Sequence, residues 1–138
     1  MALDEKKSIQ RENTGRNIIL LIEDDRDIAE ALTLLLESEM PYQVMALASS
    51  EEALERLDEI KAIQPVLFMI DYFLPVMTGI ELYDRLHAIE GLGHIPALII
   101  TAHLAQDVEE DVSRRNLDLL YKPFELDDLF QTLRQVVA

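Results

Sequence analysis

Short apolar runs that alternate with stretches of helical period are the feature that most constrains this chain. Five such pairs fit between Asn17 and the end of the sequence. The runs lie at residues 18–22, 42–47, 66–70, 97–100 and 117–121. Apolar residues at 3- and 4-residue steps follow the runs, and this alternation is typical of βα units built on a parallel sheet.

The pattern predicts an α/β fold of the flavodoxin-like type, a (βα)5 three-layer sandwich. The first, third and fourth runs are apolar without alternation, as strands covered by helices on both faces should be. The second run is mixed and suits an edge of the sheet. Because right-handed crossovers leave few arrangements, we expect a five-stranded parallel sheet in the order 2-1-3-4-5.

Composition limits the class of protein. The 138 residues suffice for one domain, which we place at 17–138, and the polar residues 1–16 are expected to form a flexible tail or linker. The sequence contains neither Cys nor an apolar run of the ~18 residues that a membrane span needs, so we expect a cytoplasmic protein without disulfides. A net charge of −15 opposes direct binding to nucleic acid.

Polar side chains collect where four of the predicted strands end. In open α/β sheets the ligand crevice lies beyond the carboxyl ends of the strands. The residues at these ends are Glu23, Asp24 and Asp25 after the first run, Asp71 after the third, Thr101 after the fourth and Lys122 after the fifth. Carboxylates this close raise one another's proton affinity unless a cation intervenes, and a hard divalent cation such as Mg²⁺ suits oxygen ligands.

Four segments in this order resemble the receiver domains of response regulators. They are IEDD, IDYFLPVMTGIEL, IITA and YKPF, within a resemblance that covers residues 17–138. The resemblance implies a receiver of a two-component phosphorelay. Its Asp71 would take a phosphoryl group from a phosphohistidine of a sensor histidine kinase or a histidine phosphotransfer protein. Such a domain is a signalling phosphoacceptor with self-catalysed transfer and autodephosphorylation, rather than an enzyme, and it controls a downstream effector.

The resemblance also implies a metal site. Asp25 and Asp71 would bind Mg²⁺ or Mn²⁺ directly, Asp24 would bind mainly through water, and the main-chain oxygen of Phe73 would complete the ligands. Glu23 precedes the acidic pair and is expected to support the site without contacting the ion.

The remaining implied roles concern the phosphoryl group. Lys122 would contact one of its oxygens and Thr101 would donate a hydrogen bond, with a cis peptide between Lys122 and Pro123. Phe73 and His103, two positions beyond Asp71 and Thr101, would flank the path of the hydrolytic water.

One departure from the family pattern affects the expected switch. Receivers commonly carry an aromatic residue three positions before the Lys, where this chain has Leu119. Tyr121 lies on the same strand face by the period of 2, which does not make it a substitute.

Three other functions compete with the receiver reading. A phosphatase of the haloacid-dehalogenase type would need an acid where Phe73 stands, and an FMN module would need a phosphate-binding loop where Glu23, Asp24 and Asp25 stand. A pseudo-receiver would keep the fold as a docking surface alone. The kinase, the output target, dimerisation, and whether the chain is a stand-alone receiver or part of a larger protein stay open.

Overall fold

The computed structural model describes residues 17–103 and 105–137, and the predicted tail at 1–16 lies outside them. The strands are β1 (Ile18–Ile22), β2 (Gln43–Leu47), β3 (Leu67–Asp71), β4 (Ala97–Thr101) and β5 (Asp118–Tyr121). The helices are α1 (Arg26–Glu39), α2 (Ser50–Glu55), α3 (Leu57–Ile63), α4 (Gly79–His87), α5 (Gln106–Arg114) and α6 (Leu126–Val137). The strands form one parallel sheet in the order β2-β1-β3-β4-β5, which confirms the predicted fold.

Burial explains the unbroken apolar sequences of the three central strands. Every residue of β3 and β4 is buried, as is every residue of β1 after Ile18. The edge strands β2 and β5 each begin with an exposed residue and are half-buried over much of their length. Because all five strands run in one direction, their carboxyl ends lie along the same edge of the sheet.

Helices cover both faces of the sheet and bury one apolar stripe each. The buried apolar helix residues are Leu32, Leu36, Leu129 and Leu133 on the face covered by α1 and α6, and Ala53, Ile60, Ile80, Leu82, Tyr83, Leu86, Val108 and Val112 on the face covered by α2 to α5. Among residues 17–103 and 105–137, none of the helices has the length and apolar character to cross a bilayer.

Side-chain caps fix where several helices begin. The Asp25 carboxylate caps α1, the Ser49 hydroxyl caps α2, and Thr78 forms a capping box with Glu81 at the start of α4. The single helix expected after β2 is divided in two at Arg56, because its φ of −108° and ψ of 24° leave the helical region.

Candidate functional site

The carboxyl edge of the sheet joins three ionisable side chains that are far apart in the sequence. Asp71 is the last residue of β3, Glu23 directly follows β1, and both are buried. Lys122 directly follows β5, and its Nζ lies 2.8 Å from Glu23 Oε1 and 3.4 Å from Asp71 Oδ2. One ammonium group is therefore shared between two buried carboxylates.

Burial and neighbouring charge act against the ionised form of Asp71. Burial, followed by the negative charge of Glu23, raises the pKa of Asp71 to about 7, although Lys122 and the hydrogen bond from the Phe73 N–H oppose the rise. Burial lowers the pKa of Lys122, but its contacts with Glu23 and Asp71 outweigh this effect, and the pKa is raised overall. Lys122 is therefore a cation at neutral pH, and further positive charge beside Asp71 would favour its carboxylate.

Three carboxylates lie close enough to share one ion. Glu23, Asp24 and Asp71 each offer an oxygen, and these oxygens lie within 4.8 Å of one another. Asp24 is exposed whereas the other two are buried, so the group opens to solvent on the side of Asp24. Three acids outnumber the single ammonium of Lys122, and an oxygen-only ligand set of this kind suits Mg²⁺ or Mn²⁺.

Asp25, which was expected to bind the metal directly, lies at the start of α1. Its Oδ1 accepts hydrogen bonds from the backbone N–H groups of Asp27 and Ile28, at 3.0 and 3.1 Å, and caps α1. Its own N–H donates to Glu23 Oε2 at 3.1 Å. Because α1 begins one residue later, Asp25 Oδ1 caps the helix. The carboxylates that lie together at the edge of the sheet are those of Glu23, Asp24 and Asp71.

Glu23 was expected near the site without contacting the ion, and its position directly after the first apolar run is the sequence feature that indicates a closer role. The run ends at Ile22, so Glu23 is the first residue beyond the strand and the nearest acid to the edge.

The other predicted residues lie beside the acidic group. Thr101 is the buried last residue of β4, and its hydroxyl oxygen accepts a hydrogen bond from the His103 N–H at 3.2 Å. The rings of Phe73 and His103 meet edge to face with centroids 4.8 Å apart, and Phe73 is 44% exposed. The Phe73 N–H donates to Asp71 Oδ1 at 3.3 Å, and the Lys122–Pro123 peptide is cis.

Position 119 is part of the core. Leu119 is half-buried and packs against the core on the α2–α5 side of the sheet. Two tyrosines near the site donate hydroxyl hydrogen bonds to α5 instead, Tyr72 to Asp111 and Tyr121 to Glu109. The sequence did not predict the contact between Tyr72 and Asp111. The one sequence feature that points to Tyr72 is its position next to Asp71.

Similarity to known proteins decides the family. Residues 19–134 match the model of the response regulator receiver domain. The chain belongs to the response regulator receiver family. The DNA-binding response regulator MtrA of Mycobacterium tuberculosis is 30% identical over 123 residues, which are 88% of this chain and 51% of MtrA. Hybrid signal transduction histidine kinase D of Dictyostelium discoideum is 28% identical over 130 residues, 92% of this chain and 8% of that kinase.

The receiver domain therefore spans about half the length of MtrA, and it acts in two-component signalling. Its fold is also that of the receiver domain of sensor histidine kinase PA1611 from Pseudomonas aeruginosa. The two structures superpose with a TM-score of 0.76 and 24% identity, over 88% of this receiver and 98% of that one. The PA1611 receiver holds a magnesium ion in its active-site cleft.

Proposed function

We propose that this receiver domain accepts a phosphoryl group on Asp71 from a phosphohistidine and thereby controls an effector. The observation that carries the proposal is the contact of Lys122 with both Asp71 and Glu23 beside three carboxylates at the carboxyl edge of the sheet. A sensor histidine kinase or a histidine phosphotransfer protein is the phosphodonor. The effector is a separate protein or a further domain of the same protein.

The transfer needs one bond to form and one to break. A carboxylate oxygen of Asp71 attacks the phosphorus, the bond between phosphorus and the donor's imidazole nitrogen breaks, and its electron pair stays on that nitrogen. The product is an acyl phosphate on Asp71. The ammonium of Lys122, already 3.4 Å from Asp71 Oδ2, binds a phosphoryl oxygen, and the Thr101 hydroxyl donates to another.

The residues that would hold the divalent cation are Glu23, Asp24, Asp71 and the main-chain oxygen of Phe73. Mg²⁺ or Mn²⁺ supplies positive charge that lets an anionic carboxylate approach an anionic phosphoryl group. The donor chemistry fits, because the three carboxylates offer hard oxygens within 4.8 Å of one another and outnumber the nearby ammonium. Asp25 is not assigned to the ion in this proposal, because its side chain caps α1.

The residues next to Asp71 argue against a general phosphatase. Such an enzyme needs a proton donor and acceptor close to the nucleophile, and the residue two positions after Asp71 is Phe73, whose ring packs on His103. We propose that turnover at this site is limited to phosphotransfer and slow hydrolysis of the protein's own acyl phosphate.

Intact-mass spectrometry tests the proposal. After incubation with acetyl phosphate and Mg²⁺, the wild type should gain the mass of one phosphoryl group, and Asp71→Asn should gain none. Asp118→Asn, the same substitution at an exposed position on β5, is the matched control and should behave as the wild type. Chelation of the metal should abolish the added mass. An adduct that persists in Asp71→Asn, or a wild type that never gains one, would overturn the proposal, and the second result would favour a docking module.

A further inference from the structure

The sequence of helix α5 gives the helix little stability of its own. It has nine residues and buries Val108 and Val112 against the sheet. Its N-cap residue, Ala105, provides no side-chain hydrogen bond within the described part of the chain. Helices of this length are marginal without tertiary contacts, so contacts beyond the two valines matter for its position.

Two tyrosine hydroxyls provide such contacts from the ends of β3 and β5, the strands on either side of β4. Tyr72 is buried, and its hydroxyl donates to Asp111 Oδ2 at 2.6 Å. Tyr121 donates from β5 to Glu109 Oε1, two residues nearer the start of the helix. Hydrogen bonds to carboxylates are stronger than bonds between neutral groups.

Both tyrosines are covalent neighbours of residues assigned to phosphoryl transfer. Tyr72 directly follows Asp71, and its backbone is fixed by hydrogen bonds to Ile100 O at 2.8 Å and from Gly79 N at 2.7 Å. Tyr121 directly precedes Lys122, whose N–H donates to Thr101 O at 2.7 Å.

We propose that Tyr72 and Tyr121 are positioning residues that couple the phosphorylation site to helix α5, an inference that rests on the proposed function. A phosphoryl group on Asp71 adds anionic oxygens beside Lys122, whose Nζ otherwise contacts Glu23 and Asp71. Movement of Lys122 shifts the peptide that carries Tyr121, and modification of Asp71 shifts the peptide that carries Tyr72. Because hydrogen bonds weaken steeply with distance and angle, small shifts release α5.

Leu119 cannot provide such a contact with α5. Leu119 packs in the core on the same side of the sheet as α5 and has no polar group with which to reach the helix. The tyrosine contacts connect the site to α5 through two separate strands, β3 and β5.

Hydrogen–deuterium exchange of the α5 amides, followed by mass spectrometry, tests this coupling. The proteins are the wild type, Tyr72→Phe, Tyr121→Phe and the double variant, each with and without acetyl phosphate and Mg²⁺. Phe keeps the ring and removes the hydroxyl. Tyr42→Phe is the matched control, because Tyr42 packs on the opposite face of the sheet. Glu109→Ala with Asp111→Ala removes the same two hydrogen bonds from the side of the helix, in case the Tyr72 variant folds poorly.

We expect exchange in α5 to rise about five-fold in each single Tyr variant without phosphodonor, as loss of one hydrogen bond implies, and not in Tyr42→Phe. Phosphorylation of the wild type should raise exchange in α5. In the double variant, phosphorylation should raise exchange much less, even when the mass of that variant shows that the phosphoryl group is attached. A phosphorylated wild type with unchanged α5 exchange, or an equal rise in the double variant, would overturn the coupling while the adduct still supports the proposed function. Absence of the adduct from the wild type would overturn both.

Discussion

At the scale of single residues, Phe73 contacts the site through its backbone and its ring separately. Its N–H donates to Asp71 Oδ1, and its carbonyl oxygen is a proposed metal ligand, so any residue type could supply these two groups. The ring is 44% exposed and meets the His103 ring edge to face. In the proposed function, the side chains of Phe73 and His103 would therefore control how water reaches the acyl phosphate.

We predict that these two rings lengthen the lifetime of the phosphorylated state. Phe73→Asn and His103→Ala should each speed loss of the phosphoryl group by about three-fold or more, which lowers the barrier by at least ~0.7 kcal/mol, because each opens the path of the water. The measurement is the decay of phosphorylated mass in Mg²⁺, with the exposed His94→Ala as control. Slower decay in His103→Ala would show that the imidazole assists the water instead.

At the scale of secondary-structure elements, the start of α4 lies in close contact with the strand that carries Asp71. Gly79, the first residue of α4, donates its N–H to Tyr72 O at 2.7 Å. A Cβ at this position would lie 2.2 Å from Asp71 O and 2.9 Å from the Ile70 side chain. Only a residue without a side chain lets the helix begin this close to β3.

Gly79→Ala should therefore lower the free energy of unfolding by about 2–3 kcal/mol, because the new methyl group meets backbone that cannot move aside. Urea denaturation followed by circular dichroism measures the change. Gly93→Ala is the matched control, since its Cβ would meet one atom, His87 O, at 3.0 Å, and should cost less. Equal stability of Gly79→Ala and the wild type would contradict this close contact.

An ion pair joins α4 to the end of α5. Arg115 donates to both carboxylate oxygens of Asp84, each at 2.7 Å, and to the main-chain oxygen of Asp111 at 2.8 Å. The hydrogen bond from Arg115 lowers the pKa of Asp84 below its usual value of 3.8. The Asp84 carboxylate is therefore stabilised in the folded protein relative to the unfolded chain.

The contribution of this pair should depend on pH. Asp84→Asn should lose about 0.5–1 kcal/mol of unfolding free energy at pH 7, a small value because the Asp84 side chain is 48% exposed. A carboxylate whose folded-state pKa is depressed stabilises the protein above the unfolded pKa, and this stabilisation is lost as pH falls through the folded pKa. The difference between the two proteins in urea denaturation should thus shrink well below pH 3.8. A difference independent of pH would show that the carboxylate charge contributes nothing.

At the scale of the whole molecule, negative charge is the dominant electrostatic feature. The 27 acidic residues exceed the 12 basic ones, and the net charge of −15 destabilises a compact state through self-repulsion. The acidic group at the carboxyl edge concentrates part of this repulsion in a buried place. A divalent cation bound there would therefore stabilise the fold, in addition to its role in the proposed transfer.

Mg²⁺ should raise the Tm of the wild type at constant ionic strength. At ten times its Kd the gain is about 1.4 kcal/mol, which corresponds to a rise of roughly 5 °C for a domain of this size. The rise should be lost in Asp24→Asn and Glu23→Gln. It should remain in Asp25→Asn, because Asn also caps helices and Asp25 lies outside the acidic group. Equal rises in all four proteins, measured by thermal unfolding, would contradict this ligand set.

Local patterns in the sequence were enough to predict the fold and much of the candidate site. Burial on one or two faces leaves a period in the apolar residues, so the strands, their central or edge positions and the order of the sheet could be predicted before any contact was known. Asp71, Thr101 and Lys122 followed from the same pattern, because parallel strands that end at one edge bring their last residues together.

Tertiary structure alone decided which side chains meet. Whether Glu23 or Asp25 joins the acidic group depends on where α1 begins and on Lys122, 99 positions away in the sequence. The hydrogen bond from Tyr72 to Asp111 spans 39 positions. Such contacts leave no periodic trace, because a hydrogen bond between two side chains depends on distances and angles that only the packed helices and strands set.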